Sequence, residues 1–98
     1  MNRTYIAGPI TGRERSEYRE HFRNAVFKLL KSGEHPISPV YIGEMFSDFT
    51  HEEIMKICIA VLDSCNAIYM LKGWEDSKGA NIELDYAKAH GYKVMYEE

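Results

Sequence analysis

The feature that most constrains this chain is a short apolar run, Asn66-Ala-Ile-Tyr-Met-Leu71. Its length is typical of a strand, and its near-continuous apolar character predicts a central parallel strand that is covered on both faces. Ligands bind beyond the carboxyl ends of such strands in open α/β sheets, so the loop at residues 72–78 is a candidate site. Ser77 and Gly79 stand at the expected start of a helix, where free backbone N–H groups can hold a phosphate or a carboxylate.

The rest of the chain alternates strands with helices. We expect strands at 3–7, 35–40, 66–71 and 92–96, and helices at 16–32, 50–64 and 78–90. Two prolines in the second strand place it at an edge of the sheet, and residues 41–49 fit either a helical turn or an irregular loop. This order predicts an α/β fold: a three-layer, doubly wound, Rossmann- or flavodoxin-like parallel sheet of four to five strands, with right-handed crossovers.

Local signals mark the ends of the three helices. Ser16 is the expected N-cap of the first helix, and Gly33 is expected to stop it. Thr50 followed by Glu53 predicts a capping box at the second helix. Gly91 is expected to close the third helix.

The last helix carries two apolar stripes on nearly opposite sides, with Glu83 on the arc between them. The stripes are Ala80, Leu84 and Ala87, and Ile82, Tyr86 and Ala89. One stripe can pack on the sheet, whereas the other needs a further surface. A second subunit is the obvious candidate, so we expect a homodimer or a higher homo-oligomer.

Length and composition exclude several classes of protein. Ninety-eight residues make one domain, residues 1–98, and 45% hydrophobic with 28% charged residues is typical of a soluble globular protein. A net charge of -3 means that the chain lacks the excess of positive charge typical of proteins that bind nucleic acid or an anionic membrane. No long apolar run or signal-peptide pattern is seen, so we expect a cytoplasmic protein. Cys58 and Cys65 lack a metal-binding or disulfide pattern and are expected to be buried free thiols.

Three loops should meet at the carboxyl edge of the sheet and bring polar and aromatic residues together. They carry Tyr5, Arg13, Arg15, Asn66, Trp74, Ser77 and Glu83. Trp74 or Tyr5 could stack on a base or a sugar, and either arginine could clamp an anion or simply be solvated. Glu83 could attack a sugar carbon, because a carboxylate can capture an oxocarbenium-like centre, or it could be a solvated helix residue. The chain has no Walker or GxGxxG pattern, so no ATP or NAD site is expected, and no cofactor or metal.

Two motifs resemble the nucleoside 2-deoxyribosyltransferase superfamily. The first is Tyr5-Ile-Ala-Gly-Pro-Ile-Thr-Gly12, which is similar to that superfamily's first strand and glycine-containing loop. The second is Gly73-Trp-Glu-Asp-Ser-Lys-Gly-Ala-Asn-Ile-Glu-Leu-Asp-Tyr-Ala87, which is similar to its Ser/Asp-x-Gly-x-x-x-Glu-x-x-x-Ala signature. The chain looks most like a small uncharacterised branch of phages and bacteria.

The resemblance implies a chemistry for particular residues. It implies cleavage or transfer of the N-glycosidic bond of a (deoxy)nucleoside 5′-monophosphate, with Glu83 as nucleophile and Tyr5 positioning it. Ser77 matches a serine that contacts the 5′-phosphate in the nucleotide-hydrolase branch, where transferases tend to carry Asp. The same motifs make the other substrate-binding candidates Gly8, Pro9, Thr11, Gly12, Arg13, Trp74 and Gly79.

The chain departs from the superfamily at two places. Asn66 is expected to replace an aspartate that protonates the leaving base, and an amide cannot supply that proton. Pro9 and Thr11 stand where the hydrolase branch has Ser and Arg, so Arg13 or Arg15 is the expected substitute. The alternative function is therefore a non-catalytic protein that binds or sequesters a nucleotide or a nucleotide derivative.

Overall fold

The computed structural model describes residues 2–98, in which one parallel sheet separates two layers of helices. The strands are β1 (Arg3–Ala7), β2 (His35–Ile37), β3 (Ala67–Met70) and β4 (Lys93–Tyr96), in the order β2-β1-β3-β4. The helices are α1 (Arg15–Lys31), the short α2 (Ile42–Met45), α3 (His51–Asp63) and α4 (Lys78–Ala89), and a 3₁₀ turn spans Trp74–Asp76. All three strand pairs are parallel, so the predicted doubly wound α/β fold is confirmed, with four strands.

Alternating side chains of β1 and β3 supply the two halves of the core. Ile6 and Tyr69 face the layer that contains α1, where they pack with Phe22 and Leu29. Tyr5, Ala7, Ile68 and Met70 face the opposite layer with residues of α3 and α4. Every residue of β3 is buried, as expected for a central strand covered on both faces.

Local sequence signals account for most of the helix ends. The side chain of Thr50 accepts a hydrogen bond from the Glu53 N–H while Glu53 binds the Thr50 N–H, so the predicted capping box is present. At the end of α1, Gly33 has a φ of +82°, and the Glu34 N–H donates to the Leu29 carbonyl. These are features of a Schellman motif, which needs a residue in the left-handed region.

One predicted cap is wrong. Ser16 was expected to cap α1, but the helix begins at Arg15 and the cap position is taken by Glu14, whose side chain forms no capping bond. Ser16 therefore lies inside the first turn, where a serine has no capping role.

The four strands end at the same edge of the sheet, and the long helices begin there. Each crossover in a parallel sheet returns the chain to the opposite edge, so the amino ends of α1, α3 and α4 all face the carboxyl edge. None of the helices within residues 2–98 is long and apolar enough to cross a membrane.

Candidate active site

A cavity of about 850 Å³ opens at the carboxyl edge of the sheet. Its walls come from the loop after β1, from the segment that contains α2, and from the amino-terminal parts of α1, α3 and α4. The polar and charged side chains that line it are Thr11, Arg13, Arg15, Tyr18, Glu44, Ser47, His51, Asp76, Ser77, Lys78 and Glu83. A volume of this size is ordinary for a small-molecule site.

Glu83 is the buried acid of this cavity. It lies in α4, has only 6% of its surface exposed, and lines the cavity wall. The hydroxyl of Tyr5, which is fully buried in β1, donates a hydrogen bond to Oε2 of Glu83. The phenol thus holds the carboxylate at the place where the cavity meets the sheet.

Burial controls the ionisation of this pair. It raises the pKa of Glu83 to about 7, while the hydrogen bond from Tyr5 acts in the opposite direction. Burial, followed by the negative charge of Glu83, holds the pKa of Tyr5 well above its ordinary value. Tyr5 is therefore a hydrogen-bond donor at neutral pH, and Glu83 exchanges a proton near pH 7.

The thiol of Cys58 completes the surroundings of the pair. Cys58 lies on the inner face of α3, is buried, and lines the same cavity. Burial, followed by the charge of Glu83, raises the pKa of this thiol to about 11. The thiol is therefore protonated at neutral pH and is not a reactive thiolate.

The start of α4 forms a second polar feature of the cavity. The hydroxyl oxygen of Ser77 caps the helix by accepting a hydrogen bond from the Ala80 N–H at 3.2 Å. The first backbone bond of this helix runs from Asn81 N to Ser77 O, so the N–H groups of Lys78 and Gly79 precede the helical ladder. Because Gly79 and Glu83 are four residues apart, they lie on one face of the helix.

Six of the predicted binding residues line this cavity with Glu83. They are Gly8, Pro9, Thr11, Arg13, Ser77 and Gly79. Gly8 is required by packing, because a Cβ there would lie 2.8 Å from the Cβ of Leu71. The binding roles of all six remain predictions.

Three predicted site residues lie elsewhere. Asn66 precedes β3 at the amino edge, where its side-chain oxygen accepts a hydrogen bond from the Arg3 N–H at 2.8 Å. Trp74 packs against the core, 6.0 Å between ring centroids from Tyr96, and does not line the cavity. Gly12 is exposed with a φ of +77° and does not line it either.

Asn66 is the most consequential of these corrections. The strands of a parallel sheet all begin at one edge and end at the other, so a residue that starts β3 cannot face a ligand at the carboxyl edge. The amide of Asn66 instead ties β3 to the start of β1. Its lack of an acidic proton therefore has no bearing on chemistry at Glu83.

Comparison with known proteins places the chain in a family. The family model described as "Domain of unknown function (DUF4406)" matches residues 2–96. The chain belongs to this family. A separate comparison with curated proteins finds no match to this chain.

The DUF4406 fold is similar to that of a solved structure titled "2-desoxiribosyltransferase from Leishmania mexicana". The TM-score is 0.71 with 21% sequence identity, and the similarity covers 98% of this chain and 63% of the other. The chain thus spans less than two thirds of the length of that protein. The similarity shows a shared fold.

Several cavity residues of the DUF4406 chain were not singled out from its sequence. They are His51, Asp76, Lys78, Cys58 as a neighbour of the acid, and the wall at Gly43, Glu44, Ser47 and Phe49. His51 and Lys78 could have been found as the residues that follow the caps Thr50 and Ser77. The residues of the wall could not have been found, because residues 41–49 show no clear periodicity of apolar residues. Within residues 2–98, no cluster of three or more His, Cys, Asp or Glu side chains is placed to hold a metal ion.

Proposed function

We propose that the protein cleaves or transfers the N-glycosidic bond of a (deoxy)nucleoside 5′-monophosphate, with Glu83 as the nucleophile. The observation that carries the proposal is the hydrogen bond from the buried Tyr5 to Glu83, which lines the cavity. A buried carboxylate that is fixed by a phenol and faces a cavity can react with or stabilise a positive carbon centre.

The first step would form a covalent glycosyl-enzyme. A carboxylate oxygen of Glu83 bonds to the anomeric carbon, the bond from that carbon to the base nitrogen breaks, and the base leaves with the electron pair and takes a proton from solvent water. In the second step, water or another base attacks the same carbon and releases the carboxylate. Tyr5 keeps Glu83 in one orientation through both steps, since its high pKa leaves the phenol protonated.

The cavity also suits the phosphate of such a substrate. Ser77 and the free N–H groups of Lys78 and Gly79 precede Glu83 by four to six residues along α4, which is between one and two helical turns. Arg13 lines the same cavity, and its Nη2 would be 3.7 Å from a Cβ placed on Gly73. Together these groups offer positive charge and hydrogen-bond donors to an anion.

The comparison supports the same reaction class. The similar solved structure is titled a 2-desoxiribosyltransferase, and the motifs around Tyr5 and Glu83 resemble those of the corresponding superfamily. Hydrolysis and transfer use the same first step, so both belong to this proposal.

Incubation with a panel of deoxynucleoside and ribonucleoside 5′-monophosphates tests the proposal. Chromatography should detect free base, and Glu83→Gln should abolish its release, because a neutral amide cannot form the glycosyl ester. Asp85→Asn is the matched control, since Asp85 is exposed on the same helix and its loss should leave the rate within about twofold. Equal activity of the Glu83→Gln protein would refute the proposal.

Ser77→Asp tests the phosphate half of the proposal. Asp is as good an N-cap as Ser, so α4 should start at the same place. Its negative charge would, however, repel a phosphate seated there, while leaving a nucleoside unaffected. We expect activity toward monophosphates to fall and activity toward nucleosides to be unchanged or higher, whereas equal losses would remove Ser77 from phosphate binding.

One observation favours a second candidate, a protein that binds the nucleotide without turnover. The two groups that surround Glu83 are a phenol and a thiol, both with a raised pKa. Neither releases a proton readily to a departing base at neutral pH. Ligand-dependent increases in melting temperature without any release of base would support this candidate.

A further inference from the structure

Each of the three long helices begins with a basic residue that lines the cavity. Arg15 is the first residue of α1, His51 the first of α3, and Lys78 the first of α4. All three line the same space as Ser77 and Glu83. Three helices from separate parts of the chain therefore turn basic side chains and positive dipole ends toward one cavity.

This placement is locally unfavourable. The amino end of a helix carries a partial positive charge, so a cation in the first turn is typically less stable there by 0.3–1 kcal/mol, as an order of magnitude. The other charged residues in the first turn of α3 are the acidic Glu52 and Glu53, which suit the positive amino end of a helix. Departures from local preference that converge on one cavity indicate selection for a ligand.

His51 comes from another helix and lies beside the proposed phosphate seat. A Cβ placed on Gly79 would lie 3.6 Å from Nε2 of His51 and 3.2 Å from Sδ of Met55. The first turns of α3 and α4 are therefore in contact, and Gly79 allows that approach. The imidazole lies beside the N–H groups that open α4, whereas Arg15 lies near Glu44 and Tyr18.

We infer that His51 determines specificity for the 5′-phosphate: its imidazole donates a hydrogen bond to the phosphate that the first turn of α4 holds. This inference rests on the proposed function for the choice of ligand. It adds a residue from α3, outside both motifs of the sequence. It is in accord with a glycine where α3 and α4 meet, since a side chain at Gly79 would enter the space between the imidazole and the helix end.

Calorimetry on the Glu83→Gln protein tests the inference, because this background does not consume the ligand. The four common deoxynucleoside 5′-monophosphates are compared with the same four deoxynucleosides. His51→Ala should raise Kd for the monophosphates by about tenfold or more, the size expected for a lost hydrogen bond to a charged group. Kd for the nucleosides should stay within about twofold, because they lack the phosphate.

Two further variants separate phosphate binding from a structural effect. His51→Arg keeps a hydrogen-bond donor at this position and should keep most of the preference for monophosphates. His35→Ala is the matched control, since His35 is exposed at the amino edge of the sheet and should change neither Kd. Equal losses for nucleotides and nucleosides, or no rescue by arginine, would overturn the inference.

The inference and the proposed function fail in distinguishable ways. Base release by the wild-type protein with unchanged monophosphate binding in His51→Ala would refute the role of His51 alone. A phosphate-selective loss in His51→Ala without base release by the wild type would support His51 and refute turnover. No binding of any monophosphate to the Glu83→Gln protein would overturn the inference as well.

Discussion

The hydroxyl of Tyr5 donates a hydrogen bond to the carboxylate of Glu83, although 78 positions separate the two residues. The parallel sheet brings them together, because β1 lies beside β3 and α4 follows β3 directly. Burial makes Glu83 a weak acid with a pKa of about 7, and the bond from Tyr5 opposes that effect. The pair therefore sets the pH range in which Glu83 carries a charge.

Tyr5→Phe should raise the pKa of Glu83 further. The substitution removes the donor that stabilises the ionised carboxylate and leaves the burial unchanged. Carbon-13 NMR titration of the side-chain carboxyl groups, with the Glu83 signal assigned from Glu83→Gln, measures the pKa directly. The rising limb of any activity profile should move to higher pH by the same amount, and an unmoved signal would show that Tyr5 does not control this ionisation.

Glu83 should make the protein less stable as the pH rises from 4.5 to 7. Its pKa in the folded state is about 7, above the ordinary value of 4.5, so the folded state binds more protons than the unfolded state between these values. The free energy of unfolding then falls through this range, by about 3 kcal/mol at most.

Urea unfolding of Glu83→Gln at pH 4.5, 6 and 8 checks this expectation. The variant should gain stability relative to wild type as the pH rises, because glutamine does not ionise. Glu75→Gln changes an exposed position, so its free energy of unfolding should differ from that of wild type by the same amount at all three pH values. A constant difference between Glu83→Gln and wild type at all three values would contradict the raised pKa.

Gly8→Ala should destabilise the protein by about 1–3 kcal/mol, the usual effect of overpacking. The added Cβ would lie 2.8 Å from Cβ and 2.9 Å from Cδ1 of Leu71, and both residues are buried. Gly43→Ala is the control, because nothing lies within 4 Å of a Cβ there and alanine is the better helix residue. Equal melting temperatures of Gly8→Ala and Gly43→Ala would be inconsistent with the close approach at Gly8.

Thr50→Ala should cost about 1 kcal/mol of stability, because it removes the cap of α3. Ser16→Ala should be neutral or slightly stabilising, because Ser16 lies inside α1 and alanine has the higher helix propensity. Urea unfolding of both variants measures the contrast. If Ser16→Ala lost as much stability as Thr50→Ala, Ser16 would be the cap of α1, in contradiction to the structure.

Much of the fold could be predicted from the sequence because its signals are local. The apolar run before Lys72 identifies a strand covered on both faces, and Thr50 with Glu53 identifies a helix start, since both depend on neighbouring residues only. The order of strands and helices then limits the chain to a doubly wound parallel sheet. Six of the binding candidates that the motifs identified line one cavity together with Glu83.

The error at Asn66 was avoidable from topology. A residue at the start of a parallel strand lies at the edge opposite the helix amino ends, so its distance from Glu83 follows from strand direction alone. Trp74 is different, because an aromatic residue in a loop can turn toward a ligand or toward the core. Packing beside Tyr96 decides this, and no local pattern indicates it.

By itself the sequence determined the strands, the helices, their order, and the edge of the sheet where the cavity opens. The motif resemblance implied that Tyr5 positions Glu83. Only the tertiary structure showed the hydrogen bond between them, Cys58 beside them, and His51 in contact with the start of α4. The physical reason is that secondary structure depends on residues a few positions apart. The contacts and the ionisation of a buried acid depend instead on side chains that the packed sheet and helices bring together from across the chain.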